Sequence, residues 1–413
     1  MMYNTIFYII LAIVVFDFVL ERFLNYLNTT RWSSKLPDEL KGIYDPDRYE
    51  KSQKYEKENQ KFGKLTSSFS LTIMVAMLFL AGFAVVDNWA REISANQIVI
   101  ALIFFGILGL AMDIVNTPFS LYDTFVIEEK YGFNKTTLKT FFLDKVKGWM
   151  LSLIIGGGLL ALIIWFYMLT GKMFWVYTWL LMSAFMVFIT MFYSTLIVPL
   201  FNKQTPLEDG ELKTAIRNFA EKVDFKLDNI FVIDGSKRST KANAYFSGLG
   251  AKKRIVLFDT LIEDLDTDEI IGVLAHEIGH YKKKHTKKGM IISVLQTGLT
   301  LYILSLLIGN PELSKALGAE QIGFHLGLIA FGILYSPVST VLGLGMNIFS
   351  RKNEFEADAF AGKHYRKDAL MTALKKLSVK NLSNLRPHPA VVFFHYSHPP
   401  LLERLKRLKD ENK

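Results

Sequence analysis

Long apolar stretches recur along the chain and alternate with polar, highly charged segments. Each stretch is close to the roughly 20 residues that a helix needs to cross the hydrocarbon core of a bilayer. The pattern therefore predicts a mainly α, multi-span helical membrane protein with seven transmembrane helices. The predicted spans are residues 5–24, 69–86, 98–115, 150–169, 174–200, 289–308 and 322–349.

Basic residues are concentrated in alternate connections between these spans. The connections after the first, third and fifth spans are rich in Lys and Arg, whereas the other three hold only Arg91, Lys172 and Lys315. Basic connections stay on the cytoplasmic side of a membrane. We therefore expect the N-terminus outside, and residues 201–288 and 351–413 in the cytoplasm. The membrane would be a bacterial inner membrane or the endoplasmic reticulum, depending on the source.

The apolar pattern divides the chain into four parts. Because the two polar parts lie on the same side of the membrane by the charge rule, we expect them to form one small cytoplasmic α/β domain. The four parts are residues 1–200 with spans one to five, 201–288 with the first polar segment, 289–350 with spans six and seven, and 351–413 with the second polar segment.

The composition agrees with lipid as the main solvent. Hydrophobic residues make up 51% and aromatic residues 14% of the 413-residue chain, more than in a typical soluble protein. The net charge of +9 fits basic cytoplasmic loops better than nucleic-acid binding, so no nucleic-acid partner is expected. The first apolar stretch lacks a basic start and is followed by Glu21 and Arg22, which favours a retained helix over a removed signal peptide.

Within the first polar segment, local patterns predict a β-hairpin followed by a helix. The runs 242–246 and 254–258 are rich in strand-forming residues and flank the glycine-rich turn 248–250. The helix is predicted over residues 266–283, with two acidic residues in its first turn that favour the positive end of the helix dipole.

The predicted helix contains the sequence HEIGH at residues 276–280. The imidazoles of His276 and His280 are four residues apart, so one helical face can present both to a single metal ion. Glu277 lies beside that face and is placed to take a proton from a water molecule. The pattern predicts one Zn²⁺ ion with Glu277 as general base. The same pattern also arises by chance in solvated helices, but the apolar run 270–275 before it favours a buried site.

The third metal ligand must come from elsewhere. The chain has no cysteine, and Lys283 and Thr286 stand where metzincins have Gly and the third His. Glu354 and Asp358 follow the last span at i,i+4 spacing, so one can bind zinc while the other supports a ligand. Glu356, between them, is interpreted as a solvated surface charge.

The residues quoted so far, with several further segments, resemble the type-1 CAAX prenyl proteases, a family of multi-span zinc endopeptidases. The matching segments are residues 199–203, 235–239, 243–246, 254–260, 276–280, 354–360 and 395–404. The resemblance implies zinc bound by His276, His280 and Glu354, with Asp358 in support. It also implies that Glu277, His398 and Arg404 act in catalysis and that Asn243, Ala244 and Tyr245 bind substrate.

The resemblance implies a peptide or protein substrate, isoprenylated in the family and cleaved near its C-terminus, with membrane lipids as further partners. His398 or Arg404 would donate to a developing oxyanion or bind a terminal carboxylate. A strand that begins at Asn243 could pair along its edge with an extended peptide. The alternative function is a broader quality-control protease without a prenylated substrate. His285 is assigned no role.

Overall fold

The computed structural model describes residues 4–33, 35–36, 38, 41–42, 44–227, 230–247 and 254–410. Helices dominate the first half of the chain, as the apolar pattern predicts. They are α1 (Thr5–Thr29), α2 (Pro46–Phe79), α3 (Gly82–Ile93), α4 (Gln97–Tyr122), a π-helical turn (Asp123–Glu128), α5 (Glu129–Tyr131), α6 (Leu138–Leu151), a second π-helical turn (Ser152–Gly157), α7 (Gly158–Thr170), α8 (Phe174–Leu196) and α9 (Val198–Phe201).

The second half mixes short strands with helices. In chain order these are β1 (Gln204–Pro206), α10 (Glu211–Lys222), β2 (Ile230–Ile233), β3 (Ala244–Ser247), β4 (Arg254–Phe258), α11 (Asp259–Asp264), α12 (Thr267–Lys282), α13 (His285–Leu307), α14 (Pro311–Ala316), α15 (Phe324–His364), α16 (Lys367–Lys380), α17 (Pro389–His395) and α18 (Leu401–Asp410).

Five helical segments of the described chain are long and apolar enough to cross a membrane. One of them, Leu138–Phe201, contains two of the predicted spans. Its chain reverses direction near Gly171, whose φ of 54° is in the left-handed region. The rings of Phe166 and Tyr177 consequently lie 5.8 Å apart, whereas a straight helix would separate these positions by about 16 Å. The other four segments are Pro46–Phe79, Gln97–Tyr131, His285–Leu307 and Phe324–His364.

Helices α2 and α15 do not end where the corresponding spans were predicted to end. The second span was expected to continue to residue 86, but α2 ends at Phe79 and a separate helix, α3, begins at Gly82. The break lies at Ala81, a non-glycine residue with φ of 50°. The last span was expected to end at residue 349, but α15 continues without interruption to His364. This long helix carries Glu354 from the apolar region directly to the predicted metal site.

Two acidic residues within predicted spans, Asp113 and Asp17, are paired with neighbouring helices. Asp113 on α4 accepts hydrogen bonds from Lys145 Nζ at 2.7 Å and Trp149 Nε1 at 3.1 Å, both on α6. Asp17 on α1 accepts a hydrogen bond from Ser336 Oγ on α15 at 2.5 Å. A carboxylate at membrane depth is costly without a partner, so these contacts stabilise the packing of the helices that supply them.

The four strands form one sheet in the order β1-β2-β4-β3. The β3–β4 pair is antiparallel and confirms the predicted hairpin, whose turn at residues 248–250 lies outside the described residues. The sequence pattern did not predict β1 or the parallel pairing of β2 with β4. Because β3 pairs only with β4 among the described strands, no described strand pairs with its other edge.

Helices and strands of both polar segments share one buried core. Ile216 on α10, Leu257 on β4 and Leu274 on α12 belong to the same cluster as Leu370 on α16 and Leu405 on α18, and each is at most 5% exposed. The segments that precede α13 and follow α15 therefore pack as neighbours. This packing brings α12 and the end of α15 together, although more than 60 residues separate them in sequence.

Two glycines permit the close approach of α12 to its neighbours. A Cβ atom on Gly272 would lie 2.8 Å from the backbone nitrogen of Leu370 on α16. A Cβ atom on Gly279 would lie 3.1 Å from both Cα and the carbonyl oxygen of Ala357 on α15. Only a residue without a side chain fits such backbone contacts without displacement. Gly279, within the HEIGH sequence, thus faces the turn of α15 that carries Glu354 and Asp358.

Candidate metal centre and active site

Helix α12 has a strong N-terminal signal. The side chain of Asp266 accepts the backbone N–H of Glu269, and the Glu269 carboxylate accepts the backbone N–H of Asp266, which forms a capping box. The helix begins at Thr267 and ends at Lys282, which confirms the predicted helix to within one residue at each end. The local sequence therefore fixes the register in which His276 and His280 share a face.

The structure brings His276, His280 and Glu354 together. One potential ligand atom from each lies within 4.8 Å of the others. The Nε2 atoms of the two histidines are 3.1 Å apart. Glu354 places Oε2 3.4 Å from His276 Nε2 and Oε1 3.2 Å from His280 Nε2. Three groups from two helices therefore converge on one point.

The geometry of these atoms fits a zinc ion. Ligands bound at 2.0–2.1 Å to a tetrahedral zinc ion lie about 3.3 Å from each other. The two Nε2 atoms are 3.1 Å apart, and each carboxylate oxygen of Glu354 lies at a similar distance from one of them, Oε1 at 3.2 Å from His280 and Oε2 at 3.4 Å from His276. Glu354 Oε2 is buried and has no hydrogen-bond partner in the described part of the chain. A buried carboxylate oxygen that accepts no hydrogen bond is costly, and a cation at the convergence point would satisfy it.

Asp358 orients the first of the two histidines. Its Oδ1 lies 2.8 Å from His276 Nδ1, so the hydrogen of that imidazole is held on Nδ1 and Nε2 faces the convergence point. Burial lowers the pKa of His276, but the carboxylates of Asp358 and Glu354 outweigh it and raise the pKa to about 9. Binding of a metal to this site would therefore release a proton.

Arg404 is mostly buried, with 11% of its side chain exposed, and is bound to Asp358. Its Nε donates to Oδ2 at 2.8 Å and an Nη atom donates to Oδ1 at 2.6 Å, which is a bidentate ion pair. The other Nη atom lies 3.7 Å from Glu354 Oε2. Burial opposes the charge of Arg404, but Asp358 and Glu354 raise its pKa. Two of the five N–H groups of the guanidinium are thus used to hold Asp358.

Glu277 and His398 lie on the open side of the site. Both line a cavity of about 550 Å³ together with the three candidate ligands. His398 Nε2 is 3.3 Å from Glu354 Oε1, and its side chain is 66% exposed. A side chain that is both exposed and next to the candidate ligands can contact a substrate as it enters.

The three predicted substrate-binding residues do not all face the same cavity. Asn243 and Ala244 line the cavity that contains the candidate ligands. Tyr245 packs instead against a separate apolar cluster that includes Val198 and Val256. Alternation of side chains along a strand explains why Ala244 and Tyr245 lie on opposite faces, whereas Asn243 precedes the strand and is not bound by this alternation. The structure therefore brings Asn243 and Ala244 to the site and leaves the Tyr245 side chain on the opposite face.

Two residues without a predicted role, His285 and Glu356, are linked to the candidate ligand His280. His285 is buried, and its Nδ1 lies 3.1 Å from His280 Nδ1. Its Nε2 lies 3.1 Å from Glu356 Oε2, so Glu356 is not a free surface charge as the sequence suggested. Helical spacing gives no signal for this contact, because the chain leaves the helix at Lys284, where φ is 61°, before His285 begins α13.

Two protein families match this chain. The family described as CAAX prenyl protease N-terminal, five membrane helices, matches residues 25–203, and peptidase family M48 matches residues 206–412. The second match contains all the residues placed in the cavity. Together with the apolar helices, the first match shows an integral multi-pass membrane protein.

Similar proteins extend over nearly the whole chain. CAAX prenyl protease 1 homolog of Arabidopsis thaliana is 36% identical and covers 97% of this chain and 98% of its own. CAAX prenyl protease 1 of Saccharomyces cerevisiae is 35% identical, covering 95% of this chain and 92% of its own. The crystal structure of S. mikatae Ste24p is 36% identical, with a TM-score of 0.93, and covers 98% of this chain and 99% of that one. The chain therefore belongs to the CAAX prenyl proteases of peptidase family M48.

Proposed function

We propose that this protein is a zinc endopeptidase that cleaves prenylated CAAX proteins or peptides near their C-terminus. The observation that carries the proposal is the convergence of His276, His280 and Glu354 beside Glu277 in one cavity. Two imidazoles and one carboxylate, with the cavity on the open side, are the ligand set of many hydrolytic zinc sites. The names of the similar proteins supply the substrate class.

When bound, zinc would lower the pKa of water and polarise a substrate carbonyl. Glu277 is the proposed general base. It is one residue from His276, half-buried, and lines the cavity without belonging to the converging set. It takes the proton of the attacking water and delivers it to the leaving amine, so that no net proton is gained or lost by the enzyme.

The open edge of β3 is the proposed binding surface for the substrate backbone. An extended peptide that pairs with this edge would gain main-chain hydrogen bonds beside Asn243 and Ala244. His398 is the proposed donor to the charge that develops on the scissile carbonyl, since it is exposed next to Glu354. For Arg404, the bidentate contact with Asp358 favours a role in holding the site together over direct contact with the substrate.

The finer membrane arrangement is also part of the proposal. We infer seven spans, an outside N-terminus and a small cytoplasmic α/β protease domain, with the chain divided at residues 200, 288 and 350. The support is the alternation of basic connections together with the common core of the two polar segments.

The absence of cysteine makes this orientation directly testable. Single cysteines can replace Ala95, between α3 and α4, and Glu208, between β1 and α10, both of which are exposed. In sealed membranes, a reagent that cannot cross the bilayer should label Ala95→Cys from the outside and Glu208→Cys from the cytoplasmic side. Labelling of both from the same side would contradict the proposed orientation.

The substrate class predicts a strong preference for lipidated peptides. The purified full-length protein, loaded with zinc, should cleave a farnesylated CAAX peptide at a kcat/KM at least about tenfold above that of the same peptide without the lipid. Burial of only two methylene groups of the lipid supplies about 1.6 kcal/mol, which already exceeds a factor of ten.

Peptide cleavage followed by mass spectrometry measures this ratio, with Glu277→Gln protein as the control for contaminating proteases. Cleavage at equal rates with and without the lipid would contradict the prenylated substrate class. Cleavage of unfolded membrane proteins alone would favour the alternative, a quality-control protease.

A further inference from the structure

His280, the second histidine of the proposed metal site, is linked to two further side chains in series. His285 is 5% exposed and lies between two polar groups. On one side its Nδ1 is 3.1 Å from His280 Nδ1, and on the other its Nε2 is 3.1 Å from Glu356 Oε2. The rings of His280 and His285 meet edge to face, with an interplanar angle of 76°. The three side chains come from α12, α13 and α15.

The proposed ligand role of His280 determines which ring nitrogens of His280 and His285 carry hydrogen. His280 presents Nε2 to the convergence point, 3.1 Å from His276 Nε2 and 3.2 Å from Glu354 Oε1. A neutral imidazole that uses Nε2 as a ligand carries its hydrogen on Nδ1. His280 Nδ1–H therefore donates to His285 Nδ1, and His285 Nε2–H donates to the Glu356 carboxylate. Each of the two bonds then has one donor and one acceptor.

We propose that His285 and Glu356 are positioning residues that hold His280 in the tautomer and orientation required of a metal ligand. The inference rests on the proposed zinc site. Hydrogen-bond partners of this kind orient ligand histidines and raise their basicity, and their loss typically costs 10–100-fold in metal affinity or activity. Neither residue touches the substrate or the metal in this proposal, so both act through His280.

Two acidic residues of α15 thus orient the two histidines, one directly and the other through an intervening ring. His276 is held directly by Asp358, at 2.8 Å, and Asp358 is itself fixed by Arg404. His280 is held by Glu356 through the intervening ring of His285. Three acidic residues of α15, at positions 354, 356 and 358, therefore serve the site: one as a candidate ligand and two as anchors for the histidines.

The test compares metal retention among variants of the full-length protein. His285→Phe keeps a planar ring but provides no acceptor, so it leaves the Nδ1–H of His280 without a partner. His285→Asn restores an acceptor near His280 while losing the link to Glu356, and Glu356→Gln removes only the charge at the far end. His364→Gln is the matched control, because His364 lies on α15 and bonds to the backbone carbonyl of Phe360.

Two measurements apply to each variant: the rate of zinc release to a chelator and the visible absorption spectrum after replacement of zinc by Co²⁺. We expect His285→Phe to release zinc 10–100-fold faster than wild type, with shifted Co²⁺ bands. His285→Asn and Glu356→Gln should lie between this variant and wild type, and His364→Gln should match wild type. The double variant His285→Phe/Glu356→Gln should behave like His285→Phe alone, because its first substitution already breaks the connection.

Wild-type release rates and spectra in His285→Phe, His285→Asn and Glu356→Gln would overturn the inference, as would additive effects in the double variant. If His285→Phe does not fold, His285→Asn and Glu356→Gln decide the question by the same measurements. Failure of the wild-type protein itself to bind zinc would instead refute the proposed metal site. The two failures are therefore distinguishable.

Discussion

Replacement of Glu277 by glutamine is expected to lower kcat by about 10²–10⁴-fold, the usual contribution of a general base, while zinc remains bound. Glutamine preserves the size of the side chain but cannot accept a proton at neutral pH. Glu277 lines the cavity and is outside the set of converging ligand atoms, so the loss should appear in turnover and not in metal content. Peptide cleavage rates and metal analysis on the same preparation measure both quantities.

The matched control for this substitution is Glu263→Gln on α11, an exposed carboxylate in the same polar segment. It should retain wild-type turnover and zinc. Equal turnover by wild type and Glu277→Gln would refute the assignment of Glu277 as base. Loss of zinc from Glu277→Gln would show that this carboxylate belongs to the ligand set instead.

Glu354→Gln is expected to weaken zinc binding by more than about 100-fold, because the loss of even an outer partner of a ligand costs 10–100-fold. The carboxylate is the only anionic group among the three converging side chains. Glu354 is also the only one of the three side chains that comes from α15, so without its carboxylate that helix supplies no ligand to the metal. Equilibrium dialysis with zinc, followed by metal analysis, gives the change in affinity, and peptide cleavage should fall with occupancy.

Glu221→Gln, an exposed position on α10, provides the control and should bind zinc as wild type does. Full metal occupancy and full hydrolysis in Glu354→Gln would contradict the proposed site, because the two histidines would then be sufficient or another group would complete the set. Retention of fold can be checked by thermal unfolding of both metal-free proteins. The neutral side chain in Glu354→Gln also removes the charge that faces His276 and Arg404.

Local sequence was sufficient for several elements. The capping box at Asp266 and the four-residue spacing of His276 and His280 act within one helix, so the register of α12 follows from nearby residues alone. The β3–β4 hairpin also joins neighbouring segments, and its pairing was predicted correctly. The helical character of the apolar stretches was predicted because length and hydropathy are properties of each stretch by itself.

Non-local contacts explain what the sequence missed. The parallel pairing of β2 with β4 joins strands that are separated by β3, and no local pattern specifies it. The start of α3 depends on a backbone break at Ala81 inside an apolar run. The contact between His285 and Glu356 joins α13 to α15, and these helices are adjacent only after folding. An exposed carboxylate and a lone histidine carry no signal of such a contact in the sequence.

The sequence by itself determined the membrane character, the helix with its pair of histidines and the acidic candidates at positions 354 and 358. These properties depend on composition and on spacing within one turn or one span. Only the tertiary structure decided which acidic group faces the histidines, that Arg404 binds Asp358, and that Tyr245 turns away from the cavity. Such choices depend on how α12, α15 and β3 pack, with Gly279 against Ala357, and packing between distant segments is not encoded in any single stretch.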